Sequence, residues 1–429
     1  MRSPTLPIAS PAISAEWTGY HRDPSRDGAG PAVPALTSPS VAWKVDVDGD
    51  VYASPLIVQG HVIVATENDT VYSLDLFTGS VIWKIHLGDP VDATSLPCGD
   101  IRPVSGITGT PTADTGTGRL YVVAFLQGRH HMLFGLSLVD GSVVLQRDVD
   151  PAGSDPAVEQ QRGALALGPA FVYVPLGGLY GDCGAYHGYL VAVPPAGGPA
   201  PVYRVPSARG AGIWSSAGPA LDATGNVYLA TGNSTASPST FDYSNSIVEL
   251  SGDLLKVKSY FAPANWRSLN AGDVDLGSLG PTLLPSGDIV VVGKEGVAYL
   301  LRGGQLGGVG GQVTSKPVCG GALGGTAVLQ STVFVPCTDG LYALSVGSGS
   351  IAVIWHASHP VLGSPITSAG AVWCIDAASA ILYALDPATG TVVFSLGLGA
   401  TEHFSTPAAT EGFVIAPAGR TIVAVLTAG

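Results

Sequence analysis

The feature that most constrains this chain is a short apolar run that occurs eight times. The runs are Val62-Ile63-Val64, Leu120-Tyr121-Val122, Val172-Tyr173-Val174, Val227-Tyr228-Leu229, Ile289-Val290-Val291, Val333-Phe334-Val335, Val372-Trp373-Cys374 and Phe413-Val414-Ile415. Each is rich in β-branched and aromatic residues, the composition of a strand. A small-residue stretch precedes every run, from YASPLI and ITGTPTA to FSTPAA, and a third apolar run follows, as in VYSLD, LFGLSL and IVAVL. In most units a fourth comes after a glycine turn: SVIWK, SVVLQ, PVYRV, LLKVK, IAVIW, TVVFS. Four antiparallel strands per unit, repeated at roughly 40 to 60 residues, describe β-propeller blades, which bury their faces only against neighbouring blades.

The last unit, from Glu402 to Gly429, contains three strands and then the chain stops. Its missing outer strand is VAWKV, near the front of the chain, where Ala42-Trp43-Lys44 matches Ile82-Trp83-Lys84 of the first unit. The expected fold is therefore all-β: an eight-bladed β-propeller of four-stranded antiparallel blades, closed by the N-terminal strand completing the C-terminal blade. Residues 1–36 form an N-terminal arm, and 37–429 a single propeller domain with blades near 50–88, 104–150, 160–206, 210–261, 272–313, 318–357, 360–397 and 401–429 plus 39–47. The fifth blade has the weakest outer strand, placed in RGGQLGGVGGQV. The arm carries Trp17, Tyr20 and His21 as anchoring surface and is expected to lie across one face of the disc.

Charge narrows the partners. The net charge is −13 and the 19 Lys and Arg residues are scattered, which argues against a phosphate-binding surface and hence against nucleic acid. No apolar run is long enough for a transmembrane helix, and the opening MRSPTLPIASPAISAEW lacks the continuous apolar stretch of a signal peptide. Of five cysteines, Cys98 and Cys183 fall in Gly-rich loops, Cys319 and Cys337 bracket a hairpin, and Cys374 sits inside an apolar strand. These positions suit two disulfides and one buried thiol, with five unpaired thiols as the alternative. Bridges would imply an oxidising compartment, so the protein reads as secreted or cell-surface.

The turn LDLFTGSVIW (Leu74 to Trp83), with LDPATGTVVF (Leu385 to Phe394) and LSVGSGSIAVIW, resembles the tryptophan-docking repeat of quinoprotein-like propellers. That superfamily includes pyrroloquinoline quinone (PQQ) dehydrogenases and a non-enzymatic outer-membrane assembly lipoprotein. CGDIRPVSGITGTPTAD, GDCGAYHGYLVAV, GIWSSAGPALDATGNVYLATGN and DVDLGSLGPTLLPSGDIVVVGKEGVAYLL are similar to bacterial PQQ-binding-like propeller proteins. The resemblance implies PQQ and calcium as candidate cofactors. Asn233, in LATGNSTASPSTFDY, then stands where such enzymes supply a metal ligand, and Asp273 or Asp275 where they supply the catalytic base. Two departures oppose that chemistry. Arg162 stands where a metal-binding Glu is expected, and no adjacent cysteine pair exists.

Residues that start the inner strands should line the central channel: Asp50, Tyr52, Thr108, Arg162, Trp214, Ser215, Asp275, Glu402 and His403. Arginine, aromatics and carboxylates converging on one funnel suit a polar small molecule or a peptide side chain. The bland reading makes Trp214 a channel filler and Arg162 the structural partner of Asp273 or Asp275. Elsewhere, Asp46, Asp48 and Asp50 read as solvated acids on a strand, since the glycine of KVDVDGDVY is misplaced for a calcium loop. His130 and His131 point to opposite faces of an exposed hairpin turn. GGQLGGVGG lacks the Lys-Ser/Thr and following helix of a nucleotide loop. The expected function is a non-catalytic extracytoplasmic module that binds a ligand or assembles proteins through its funnel and loops, with self-association open. The alternatives are a PQQ- and calcium-dependent alcohol or sugar dehydrogenase, and a cofactor-independent enzyme using His403 with a carboxylate.

Overall fold

A computed structural model describes residues 15–31, 33–234 and 240–428. Eight antiparallel four-stranded blades form the ring, their strands consecutive in the chain except in the fifth, where Gly308–Val309 intervenes, and the eighth, which takes its outer strand from the N-terminus. In the first, Leu56–Val58 lies innermost and is followed outward by His61–Ala65, Thr70–Asp75 and Val81–His86. The middle strands are buried on both faces, whereas the outermost strand alternates between exposed and covered residues. That difference explains why the second strand of every blade reads as an uninterrupted apolar run.

The ring closes as the sequence predicts. Ser40–Asp46 pairs with Thr421–Leu426 as the outer strand of the eighth blade, in the register Val41 to Val425 and Lys44 to Val423. In the fifth blade the outer strand is Thr314–Pro317, paired with Val297–Arg302, just beyond the Gly-rich stretch that sequence reasoning assigned to it. Gly308–Val309, inside that stretch, instead runs parallel to Val257–Ala262 of the fourth blade. The loop thus ties the fourth blade to the fifth before supplying the latter's edge.

Outer-strand tryptophans join neighbouring blades. The Trp43 indole N–H donates to the Leu76 carbonyl at 2.8 Å, Trp83 to Leu138 at 3.1 Å and Trp355 to Pro387 at 2.9 Å. Each ring lies on the turn glycine of the next blade: Gly79, Gly141 and Gly390, all at positive φ. A Cβ on Gly141 would stand 2.6 Å from the Trp83 ring. Gly141→Ala is expected to cost about 1–2 kcal/mol for the left-handed backbone and about 1–3 kcal/mol more for overpacking. Gly118→Ala, at φ 66 with open space around the new Cβ, should show only the first part. Urea unfolding of the two variants separates the contributions.

The N-terminal arm does more than cross one face. Between Ala15 and Gly30 it meets the innermost strand or its lead-in in all eight blades. Trp17 exchanges backbone bonds with Ile57, and Thr18 accepts from Ala113. Pro24, Ser25, Asp27 and Gly28 accept from Leu221, Leu283, Val328 and Thr367. Arg26 reaches the Leu165 carbonyl, and Ala15 accepts from the Thr410 hydroxyl. Innermost strands are sheet edges with unpaired backbone groups, and the arm satisfies them. The channel is therefore plugged at one end, and Trp17, Tyr20, His21 and Arg26 are buried in the plug. Residues 1–14 of the expected arm, which hold most of the stretch read for a signal peptide, and residue 32 lie outside the described residues.

Both cysteine pairs are bridged, Cys98 to Cys183 and Cys319 to Cys337, and Cys374 is a buried free thiol. Among the described residues no helix is long and apolar enough to cross a membrane.

Candidate functional site

The unplugged end opens into a cavity of about 580 Å³. Residues that lead into inner strands line it, among them Arg162, Trp214, Asp275 and His403. Arg162 is placed by Glu159–Gln160 and Ala166–Leu167, both paired with Val172–Gly178. Asp275 precedes the single turn Leu276–Ser278, and Asp273 caps the helix Trp266–Gly272.

Of the sequence candidates, Arg162, Trp214, Asn233, Asp273, Asp275 and His403 line this one cavity. Tyr52 and Thr108 lie deeper, in a small recess they share with Arg162, His403 and Tyr20 of the plug. Ser215 is turned away: it is buried and donates to the Gly324 carbonyl. Glu402 faces the Tyr52 hydroxyl rather than His403. The acid beside His403 is Asp100, at 3.6 Å. Burial holds His403 below the usual histidine range, against the pull of Asp100, so it is neutral at pH 7.

The strongest contact in the cavity is one that sequence reasoning missed. Lys294 places its ammonium 2.5 Å from Asp275 and 3.6 Å from Asp273. The second Asp275 oxygen accepts the Asn233 backbone N–H at 2.6 Å, and the Asn233 amide donates to Asp273 at 3.0 Å. Burial pushes the Asp275 carboxyl up, while Lys294 and the Asn233 N–H favour its anion. Burial likewise works against the Lys294 charge, but Asp275 and Asp273 hold its pKa above the ordinary lysine value. Arg162, expected as the partner of these aspartates, pairs with neither. Its Nε donates to the Trp214 carbonyl at 3.0 Å and its guanidinium stacks on the Trp214 ring at 4.7 Å. Gly232 lets Trp214 and Asp275 approach each other, since a Cβ there would come within 2.8 Å of both.

A calcium ion needs several hard oxygen ligands carrying net negative charge. The residues here do not fit one. Asp275 and Asp273 share Lys294, the Asn233 amide is committed to Asp273, and Arg162 adds a second cation. Among the described residues no sulfur-bearing side chain lines the cavity. The Cys98–Cys183 bridge joins two loops 85 residues apart, instead of presenting a pair of adjacent cysteines.

The other motifs resolve into structural roles. Asp48 accepts from Thr66, Asn68 and Thr70, and Asp46 from Thr421, so these acids pin turns and strand ends. His130 is exposed, but His131 is buried, stacked on Phe125 and bonded to Asp150 at 2.7 Å. The histidines do point to opposite faces, but within the strand His130–Ser137 and not in an exposed turn.

Residues 28–162 match the family described as outer membrane protein assembly factor BamB, a stretch covering the closing strand and the first two blades. No curated protein matches. Among solved structures, a quinohemoprotein alcohol dehydrogenase from Comamonas testosteroni superposes with TM-score 0.74 at 16% identity, covering 98% of this chain and 82% of that one. A europium-containing methanol dehydrogenase gives 0.72 at 14%, covering 94% and 89%. BamB from Moraxella catarrhalis gives 0.61 at 14%, covering 91% and 98%. At these identities the likeness carries the fold and leaves the activity to the site.

Proposed function

We propose that this chain, an eight-bladed propeller of the PQQ-binding-like kind, is a non-catalytic binding module of an oxidising, extracytoplasmic compartment, taking its ligand in the funnel opposite the plug. The observation that carries this reading is the Lys294–Asp275 ion pair. A dehydrogenase of this fold requires a free carboxylate base and a cation held by carboxylates. Here the candidate base is neutralised by a lysine, and the position expected for a metal-binding glutamate is Arg162. The two disulfides favour the compartment. The family match over residues 28–162 favours an assembly role beside ligand binding. The exposed pairs Val81-Ile82, Val143-Val144 and Val392-Val393 on the outer strands offer apolar contact for a protein partner.

The dehydrogenase remains the second reading, because Trp214, Asn233 and Asp275 do share one cavity. Titration with PQQ and Ca²⁺, followed by absorbance and melting temperature, decides between them. The binding module predicts no saturable quinone spectrum and an unchanged melting temperature at tens of micromolar PQQ. A saturable spectrum with a raised melting temperature, followed by dye-linked oxidation of an alcohol, would replace it with the enzyme.

A further inference from the structure

Resting on the funnel reading, we infer that the ligand is a small zwitterion, such as a free amino acid or short peptide. Its carboxylate would be held by Arg162 and its ammonium by Asp100 and Asp182.

Three observations support the two half-sites. Arg162 is fixed at Nε by the Trp214 carbonyl and at its face by the Trp214 ring, while its two terminal nitrogens have no hydrogen-bond or ion-pair partner among the described residues. A guanidinium held in this way presents a fork matched to a carboxylate. Lys294, the other cation in the cavity, is already neutralised by Asp275 and Asp273. Arg162 is thus the one unpaired cation among the described residues lining the cavity.

The opposite half-site is acidic. Asp100 and Asp182 line the same cavity and act on Arg162 electrostatically, yet neither pairs with it. Asp182 accepts the Tyr186 hydroxyl at 2.6 Å, leaving its second oxygen for another donor. Among the described residues the one ion-pair contact of Asp100 is with His403, whose imidazole burial holds below the usual histidine range. Asp100 lies two residues after Cys98 and Asp182 one before Cys183, so the Cys98–Cys183 bridge fixes the two carboxylates relative to each other. A purely anionic ligand would meet these acids, and a purely cationic one would meet Arg162. A molecule carrying both charges satisfies both, and the cavity volume falls within the range of small-molecule sites.

The test uses isothermal titration and melting temperature on the full chain, with leucine and Gly-Leu as probes beside their C-terminal amides and N-acetyl forms. At least one parent probe should bind saturably, with each blocked form at least tenfold weaker. Arg162→Gln should weaken the parent at least tenfold while the free protein stays folded, its melting temperature lowered only by the loss of the Trp214 carbonyl bond and ring contact. The Asp100→Asn/Asp182→Asn double variant should abolish the preference for the free amine while retaining that for the free carboxylate. Reducing the Cys98–Cys183 bridge should weaken binding of the free-amine form more than that of its N-acetyl form. Blocked forms that bind as well as the parents overturn the zwitterion and leave the funnel standing. No binding by any probe also overturns it. The funnel reading falls too only if neutral polyols and sugars leave the melting temperature unchanged.

Discussion

Deleting residues 1–37 while keeping the closing strand Ser40–Asp46 should lower the stability of the propeller by at least about 5 kcal/mol. The closing strand alone does not account for the ring, because the arm bonds the innermost strand or its lead-in in every blade. Without it, eight strand edges face an open channel, and each backbone group left unsatisfied there costs free energy. Trp17 is fully buried against the first blade, and losing a buried aromatic side chain of this size is worth about 3–5 kcal/mol alone. Arg26 adds hydrogen bonds to the Tyr20, Leu165 and Pro219 carbonyls. Trp17→Ala should therefore reproduce more than half of the deletion's effect, and Trp43→Ala, which loosens closure itself, should cost a similar amount. Urea unfolding measures all three. A deletion variant within about 1 kcal/mol of the parent would mean that the arm lies on the disc without supporting it. The deletion should also unseat the funnel floor, since Tyr20 lines the recess beneath Arg162.

The fold was legible in the sequence because it follows from two short-range periodicities. Apolar runs such as Val62-Ile63-Val64 mark strands covered on both faces, and turn glycines mark where the outer strand begins. Even the closing strand could be found, because Trp43 matches Trp83 in kind and setting. The fifth blade misled because its edge, Thr314–Pro317, is polar and exposed, whereas the Gly-rich segment before it bonds to another blade. The site was legible only in part. That Arg162, Trp214 and Asp275 meet follows from their common position ahead of inner strands. Lys294 comes from a different place, the turn between the second and third strands of the fifth blade, and GKEG looks like any solvated turn. Asp100 and Asp182 enter the cavity on loops whose course depends on a disulfide, and no local pattern encodes a side-chain direction there. The arm's sequence likewise gave anchors but no path, since an irregular segment has no period to read.

The other large effect expected is on pH stability, and it comes from two buried acids in one turn. Glu67 and Asp69 sit in ATENDTVY, the turn after His61–Ala65, yet they are 2% and 0% exposed. One Glu67 oxygen accepts the Gly106 N–H at 2.7 Å, and the Thr108 hydroxyl and the Phe125 backbone favour the Glu67 and Asp69 anions, but the other Glu67 oxygen and both Asp69 oxygens make no well-formed hydrogen bond among the described residues. Asp50 and Glu402 add like charge around Glu67, and Glu67 does the same around Asp69. Burial, reinforced by these like charges, pushes Glu67 up to about 7 and Asp69 up to about 9. A carboxyl whose folded pKa is raised binds more protons folded than unfolded. Its contribution is therefore most favourable below the unfolded value, near pH 4, and declines as pH rises to the folded value. For Glu67 the decline should run to about pH 7 and for Asp69 to about pH 9, with the loss complete above that. At about 1.4 kcal/mol per unit, Glu67 alone accounts for about 3 kcal/mol, and the interacting pair for more. The Glu67→Gln/Asp69→Asn variant should match the parent at pH 4 and exceed it by several kcal/mol at pH 9. Glu159, pushed up to about 8 by burial, adds a slope of the same sign that the double variant retains and Glu159→Gln removes. Urea unfolding at pH 4, 6, 8 and 9.5 gives the profile. A parent stability that is level or rising over that range would show that both carboxylates are already ionised in the fold.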